Sequence, residues 1–492
     1  MARPAPAPTA PRRATLAELA VWVVPLVVAL GVRLGMATGT SGLTMDSPLY
    51  VRMAEAFASG RHEPSPAHHG YPLLVALASA VLPGREWPGR VVSLVASLAV
   101  VVLVTALTRR RAGSLAGWVA GLAVALQPLL AVYGVAIMTE STFLALALAG
   151  VLALERGSAR AGGAWLGAAW WVRPEAAVIA PLAVLLSPLS RRARVWALAA
   201  ALLVALPYAG VLRATQGFWS LTPKTALVRA PFADARAAEW RLADSTAFAD
   251  SVGVGARLAR DGGAIVRAWP ARFTAQAQRV AEAWPLPLLL LSLLGLARAN
   301  GRGPWLAFAA LPFVYPLLAA PAELRFAMMA LPALVVPMAV AAAESWRQRG
   351  VWRWSASAGL VAGAALLATG PAQRLATQFD DGPMASLRGA GAWLEANSAP
   401  DAVIMDRKSY VPFFAHRRHV QLPDEPLDTL LDHAVTSGAT HLVVEEYVTH
   451  SLRPQLAPLL DARILASEPR VRLGFATRPE PGEGVVVLEV VR

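Results

Sequence analysis

Long apolar runs, broken at short intervals by basic clusters or by turns rich in Gly and Pro, fill the first three quarters of the chain. Runs near 19–36, 90–108, 113–133, 137–154, 195–213, 284–298, 304–320, 326–344 and 352–369 predict membrane spans. Each is measured against the roughly 20 apolar residues that cross a bilayer, which makes about nine crossings. The run near the start, Leu19 to Met36, is longer than a signal-peptide core and reads as an uncleaved first span. Before it, Met1 to Arg13 has the Ala, Pro and Arg content of a disordered tail.

Alternation of the spans places Arg12 and Arg13, Arg109 to Arg111, Arg156 and Arg160, Arg298 and Arg302, and Arg347, Arg349 and Arg353 on one side. The positive-inside rule makes that side cytoplasmic, with the N-terminus on it. Residues 162–187 break the alternation, because Arg191, Arg192 and Arg194 after them fall on the wrong side if this segment simply crosses. A re-entrant hairpin of two short arms joined at Arg173-Pro174 restores parity, since proline disfavours helix at the residue before it and removes a donor. Non-helical backbone at that depth must be buried in protein or line a cavity. The alternative is one kinked span, with a partner span elsewhere.

The hairpin topology sends 39–88, the turn before Glu140, the long loop 213–284, the turn holding Arg325 and everything after about 370 to the outer face. Within the long loop, 253–284 has an amphipathic pattern suited to the membrane interface. Beyond 370 the pattern changes period. Segments 402–406, 440–446 and 484–491 read as strands, with helical patterns at 384–397 and 426–437. The expected architecture is a polytopic α-helical membrane domain over 1–370 and a small soluble α/β domain over 371–492, outside the membrane.

Composition agrees. The chain has 492 residues, 56% of them hydrophobic and 16% charged, too apolar for an ordinary soluble core. A net charge of +13 would suggest nucleic acid in a soluble protein, but here much of the basic charge flanks spans, so nucleic-acid binding is not expected. Cysteine is absent, which excludes disulfides, thiolate metal sites and a Cys nucleophile. Lysine occurs only at Lys224 and Lys408 among 45 basic residues.

Ionised groups beside apolar spans carry the chemistry, because a charge at membrane depth is costly and tends to face a functional cavity. Asp46 sits where the first outer loop turns into an amphipathic helix; it is either a general base or an acid satisfying free backbone donors. Glu140 opens the fourth span, either as a second functional acid or as ordinary first-turn chemistry. Both acids face the outer side, where together they could hold an acceptor or a divalent cation. His68, His69 and Tyr71 precede an apolar stretch too short to cross and either line a headgroup pocket or snorkel. Lys224 and Arg229, beside Phe218 and Trp219, and Arg325 at a helix start are candidates for a lipid phosphate. His416 and His419, with Arg417 and Arg418 between them, read as a solvated basic turn.

The order of these motifs resembles the GT-C superfamily of membrane glycosyltransferases, in particular bacterial relatives of protein O-mannosyltransferases and of lipid A aminoarabinose transferases. The resemblance covers nearly the whole chain and rests on Asp46 with Tyr50, GYPLL at 70–74, MTESTF at 138–143, GAAWWVRPEA at 167–176, GFWSLTPK at 217–224, ELRF at 323–326 and WLEANSAPDAVIMD at 393–406. It implies a sugar carried on a polyprenyl phosphate and transferred, with inversion, at the outer face of a bacterial inner membrane to a lipid, protein or polysaccharide acceptor. It further implies Asp46 as base, Glu140 as the second acid, and Lys224 and Arg325 on the lipid phosphate; Tyr50, His69, Tyr71 and Arg173 are the other expected substrate-binding positions. No cofactor is required, and a divalent cation is an option. Many relatives carry two adjacent acids in the first loop, whereas Ser47 follows Asp46 here. The competing classes are a lipid or solute transporter or flippase, which also uses charges and broken helices at depth, and a non-catalytic scaffold.

Overall fold

The computed structural model describes residues 16–491 apart from 40–42, 45, 62–66, 218, 224–253, 299–302, 314–322, 349, 372, 375–381 and 478–482. In chain order come α1 (Leu16–Gly39), α2 (Ser47–Ala58), α3 (Gly70–Ser79), α4 (Trp87–Ala112), α5 (Ser114–Leu126), α6 (Pro128–Val132), α7 (Glu140–Glu155), α8 (Ala159–Val172), α9 (Ala176–Leu185) and α10 (Arg191–Gln216). After the long loop follow α11 (Val254–Ala283), α12 (Leu286–Arg298), α13 (Gly303–Ala310), α14 (Leu324–Ala327), α15 (Leu331–Arg347) and α16 (Val351–Thr369).

Among the described residues five helices are long and apolar enough to cross a bilayer, or six if the pair bent by 102° between Ala283 and Leu286 is one span. Fewer than the nine expected reach that length: the run 113–133 is a broken helix, 137–154 forms the 16-residue α7, and 304–320 is described only as far as Phe313. The run 113–133 splits at Gln127, whose backbone turns extended between α5 and α6. A buried break must satisfy its own polar groups. The Gln127 side chain accepts from the Leu130 N–H at 2.8 Å and donates to the Ala283 carbonyl at 3.2 Å. Arg33 of α1, fully buried, donates to the carbonyls of Ala125 (3.1 Å) and Leu130 (3.3 Å) and to Ser97 Oγ (2.6 Å). A cation thus sits where the end of α5 exposes carbonyl charge.

One edge of the bundle gathers basic residues. There Arg111 pairs with Glu155 and lies over the Trp305 ring, Arg347 donates to the Ala112 carbonyl, and Arg109 stands 3.7 Å from Glu18. Helix α8 starts beside Glu155 at this edge and runs to Trp171, which packs against Gly70. Helix α9 returns, ending with Leu186 against Gly303, two residues from Trp305. Both ends of the α8–α9 pair therefore lie at the same edge, as the hairpin requires. Its turn is at Arg173, extended at φ −150° and ψ 144°, the backbone that the following Pro174 favours. Gly163 and Gly167 bring α8 onto the Ala197 and Ala201 carbonyls of α10, an approach that any side chain at those positions would block.

The C-terminal part is a small sheet domain. Strands β1 (Val403–Asp406), β2 (Arg418–Gln421), β3 (His441–Glu445), β4 (Val471–Thr477) and β5 (Val485–Val490) form one sheet in the order β2-β1-β3-β5-β4. β1 is parallel to β2 and β3, while β5 is antiparallel to β3 and β4. Helices α17 (Gly382–Asn397), α18 (Tyr410–Phe414) and α19 (Leu427–Thr436) accompany it. One face packs Leu430 and Leu431 on Leu442, Val444 and Leu488; the other, with Ile404, Val443 and Val487, joins the core that continues into the membrane helices.

Strands β2 and β4 were not legible in the sequence. β2 reads Arg-His-Val-Gln, a polar edge without clear alternation. The expectation of a solvated turn at 416–419 is corrected in part. His416 is exposed in a left-handed backbone (φ 53°), but His419 lies in β2 with its ring nitrogen 2.9 Å from the Asp406 carbonyl, and burial pushes its pKa down to about 4.

Candidate active site

Asp46 stands at the N-cap of α2, yet its side chain makes no capping hydrogen bond. Beside it, Ser47 Oγ accepts from the Thr44 N–H at 2.7 Å and donates to the Ile137 carbonyl at 3.1 Å. Ser47 thus pins the loop to the segment leading into α7.

The Asp46 carboxylate instead faces two cations. Arg325 NH1 is 3.5 Å from Oδ2, and Lys408 Nζ is 3.9 Å from Oδ1. Arg325 is itself held by Glu323 at 2.5 Å and lies over the Phe326 ring. The side chains of Asp46, Lys408 and Arg325 remain 23%, 23% and 16% exposed, so this group is open to a ligand.

Beneath it is a sealed triad. Arg173 NH1 donates to Glu140 Oε1 at 2.6 Å and to Thr139 Oγ1 at 2.9 Å, and its other nitrogens hold Glu175 at 2.7 and 2.9 Å. Glu140 and Glu175 are each 1% exposed. The re-entrant turn thus delivers a guanidinium to the first residue of α7. Tyr50 links the two layers: its hydroxyl is close enough to feel the charges of Asp46, Glu140, Arg173 and Arg325, and Tyr133 feels Asp46, Glu140, Glu323 and Arg325.

Two other expected positions, Tyr71 and His69, are buried among protein partners. Tyr71 packs edge-on against Tyr50 at 5.4 Å, and its hydroxyl is engaged by Gly89 O and Ser93 Oγ, both at 2.9 Å. His69 is buried with Nδ1 3.3 Å from the Tyr208 hydroxyl, while His68 bridges the Trp170 carbonyl (2.9 Å) and Thr222 Oγ1 (3.2 Å). These rings form an aromatic nest with Tyr208, Trp170 and Trp171 that seats the loop after α10. Lys224 and Arg229 lie outside the described residues.

Among the described residues no group of three or more His, Asp or Glu is spaced to hold a metal. Asp46 and Glu140 each face a guanidinium, which is a poor fit for a divalent-cation site. Residues missed in the sequence are Lys408, Glu323, Glu175 and Tyr133. Only Lys408 carried a signal, as one of two lysines in an arginine-rich chain.

The small sheet domain docks on the same face. Arg85, before α4, bridges Glu55 (2.5 Å) and the Phe413 carbonyl (2.6 Å) and stacks on the Phe413 ring, and Arg388 of α17 reaches Glu86 at 3.2 Å. This seats the loop after β1 over α2.

The bundle and the appended sheet domain share their fold with solved structures of ArnT and of archaeal oligosaccharyltransferases. The chain is similar to ArnT from Cupriavidus metallidurans, solved bound to undecaprenyl phosphate, with a TM-score of 0.56 and 15% identity over 96% of this chain and 98% of that one. It is also similar to the apo oligosaccharyltransferase of Archaeoglobus fulgidus, with a TM-score of 0.59 and 12% identity over 87% of this chain and 70% of that one. A third similar structure is the AglB oligosaccharyltransferase of the same archaeon with an inhibitory peptide and a dolichol-phosphate, at a TM-score of 0.56 and 13% identity over 87% and 69%. No family model and no curated protein matches the sequence.

Proposed function

We propose that the protein is an inverting glycosyltransferase that moves a sugar from a polyprenyl phosphate to a hydroxyl or amine of an acceptor on the outer face of a bacterial inner membrane, with the basic edge of the bundle cytoplasmic. The observation that carries this reading is Asp46: an uncapped, partly open carboxylate flanked by cations beneath a docked extramembrane domain. Structures of the same fold hold undecaprenyl phosphate or dolichol-phosphate, which supports the donor class.

In this reading Asp46 accepts the acceptor's proton as its oxygen or nitrogen attacks the anomeric carbon. The bond from that carbon to the phosphate oxygen breaks, and its electron pair leaves with the phosphate. Arg325 stabilises that charge as it develops, with Lys224 as the second cation implied by the family resemblance. Glu140 acts through Arg173, which fixes the re-entrant turn below the reaction centre. One displacement inverts the anomeric configuration. No step is routed through a metal, and the acceptor can be lipid, protein or polysaccharide.

The test is release of labelled sugar from a panel of polyprenyl-phosphate sugars by wild type and Asp46→Asn, with cell envelope as acceptor. Transfer by wild type that collapses in the variant supports the reading. A folded wild type that consumes none of the panel, but accumulates labelled solute in vesicles, replaces it with transport.

A further inference from the structure

We propose that Lys408 of the small sheet domain binds the donor's phosphate together with Arg325, so that docking of this domain completes the reaction centre. The inference rests on the transferase reading and adds a residue to it.

Lys408 reaches the site through the sheet topology. β1 is flanked by β2 on one side and β3 on the other, so the chain reverses direction across the sheet at the carboxyl ends of β1 and β3, the place where open α/β sheets present loops to ligands. Asp406 ends β1, and its Oδ1 accepts from the Lys408 N–H at 3.4 Å, which shapes the turn. Docking through Arg85 and Arg388 turns that edge onto the first outer loop, and Lys408 arrives 3.9 Å from Asp46 Oδ1.

Charge balance then points to a ligand. Asp46 and Glu323 supply two negative charges, and Arg325 and Lys408 two positive ones. A bound phosphodiester adds one negative charge, and a cation must turn to meet it. Arg325 lies 2.5 Å from Glu323, whereas Lys408 is 3.9 Å from Asp46 and also near enough to Glu445 to act on its carboxylate. A lysine is a compact charge on a flexible stem, suited to moving between a carboxylate and a phosphate, while a planar guanidinium is suited to staying. The move has a catalytic consequence: one of the two cations beside Asp46 turns to the phosphate when the donor arrives, so the carboxylate is less screened with the leaving group in place.

The composition makes the test clean, because Lys224 and Lys408 are the only lysines. Full-length wild type in nanodiscs is acylated with an amine reagent, and the two lysine peptides are followed by mass spectrometry with undecaprenyl phosphate or the neutral undecaprenol added. Binding of radiolabelled undecaprenyl phosphate is measured on the same samples. The expected result is acylation of Lys408 slowed at least threefold by the phosphate and unchanged by the alcohol. Lys408→Met then weakens undecaprenyl phosphate binding tenfold or more, and Lys408→Arg recovers most of the loss. Undiminished acylation of Lys408 at saturating undecaprenyl phosphate, or undiminished binding by Lys408→Met, overturns the role of Lys408 while leaving the transferase reading intact. Wild type that binds no polyprenyl phosphate at all overturns both.

Discussion

Arg325 and Asp46 face each other at 3.5 Å although they lie far apart in sequence, one opening the candidate span that ends at Arg347 and the other preceding α2. Both side chains keep some exposure, in contrast to the closed Arg173 triad beneath. The pair is therefore the more accessible of the two groups.

Asp46→Asn is expected to lower sugar transfer by about 10²–10⁴-fold, the usual worth of a positioned general base. The amide keeps the size of the side chain and removes its ability to take a proton. A direct transfer assay with the labelled donor, alongside donor binding that stays near wild type, checks this. A loss of binding as large as the loss of turnover would assign Asp46 to the donor instead.

The buried triad gives an ordered pair of outcomes. Arg173→Met strands two carboxylates, each 1% exposed, without their cation, and breaking such a pair costs about 3–5 kcal/mol. Glu140→Gln keeps a polar group on Arg173 and leaves Glu175 as its counter-charge. Thermal unfolding in detergent is expected to show a severe defect for the first and a mild one for the second.

His419 makes the sheet domain sensitive to acid. Its folded pKa, about 4, lies below the ordinary 6.5 because its ring is buried, so the folded state keeps it neutral while the unfolded chain protonates. Its stabilisation is present above pH 6.5 and is lost as the pH falls toward 4, about 3 kcal/mol in full. Asp406 works in the opposite sense: burial, reinforced by the charge of Glu445, raises its carboxyl well above the usual range, so its contribution is lost as pH rises through that folded value. Pulse proteolysis of full-length wild type and His419→Gln at pH 7 and pH 5 is expected to show the change in sheet-domain stability from pH 7 to pH 5 shifted in the stabilising direction in the variant, which isolates the His419 part from that of the carboxyls.

Gly163→Val tests the re-entrant pair. The α10 backbone at Ala197 occupies the space that a side chain would need, so α8 must move away from α10. Overpacking of this kind costs about 1–3 kcal/mol, and the displaced helix carries Arg173. Lower yield of folded protein and lower transfer activity are the expected readouts, whereas Gly210→Ala, where nothing lies within 4 Å, is expected to be silent.

Much of the membrane architecture was readable because hydropathy and basic flanks are additive along a chain. The parity of Arg191, Arg192 and Arg194 called for a re-entrant pair at Arg173-Pro174, and proline chemistry located its turn. The break at Gln127 was not readable, since the run stays apolar through it, whereas the boundary near 284 was, because an amphipathic segment there meets an apolar run. The Gln127 break depends on polar partners, Arg33 among them, that lie far away in sequence. Asp46, Glu140 and Arg325 were legible as charges out of place. Their grouping was not, and neither was the division into an open layer and a sealed one.

By itself the sequence determined what each segment must do with water and lipid: which runs are apolar enough to bury, which ends carry basic charge, and where proline and glycine interrupt a helix. Those properties belong to local composition. Only the tertiary structure decided that Glu140 is bound to Arg173 while Asp46 is left uncapped, and that a lysine from the sheet domain stands beside Asp46. A charged side chain acts over a few ångströms, and packing alone sets which groups from distant parts of the chain come that close.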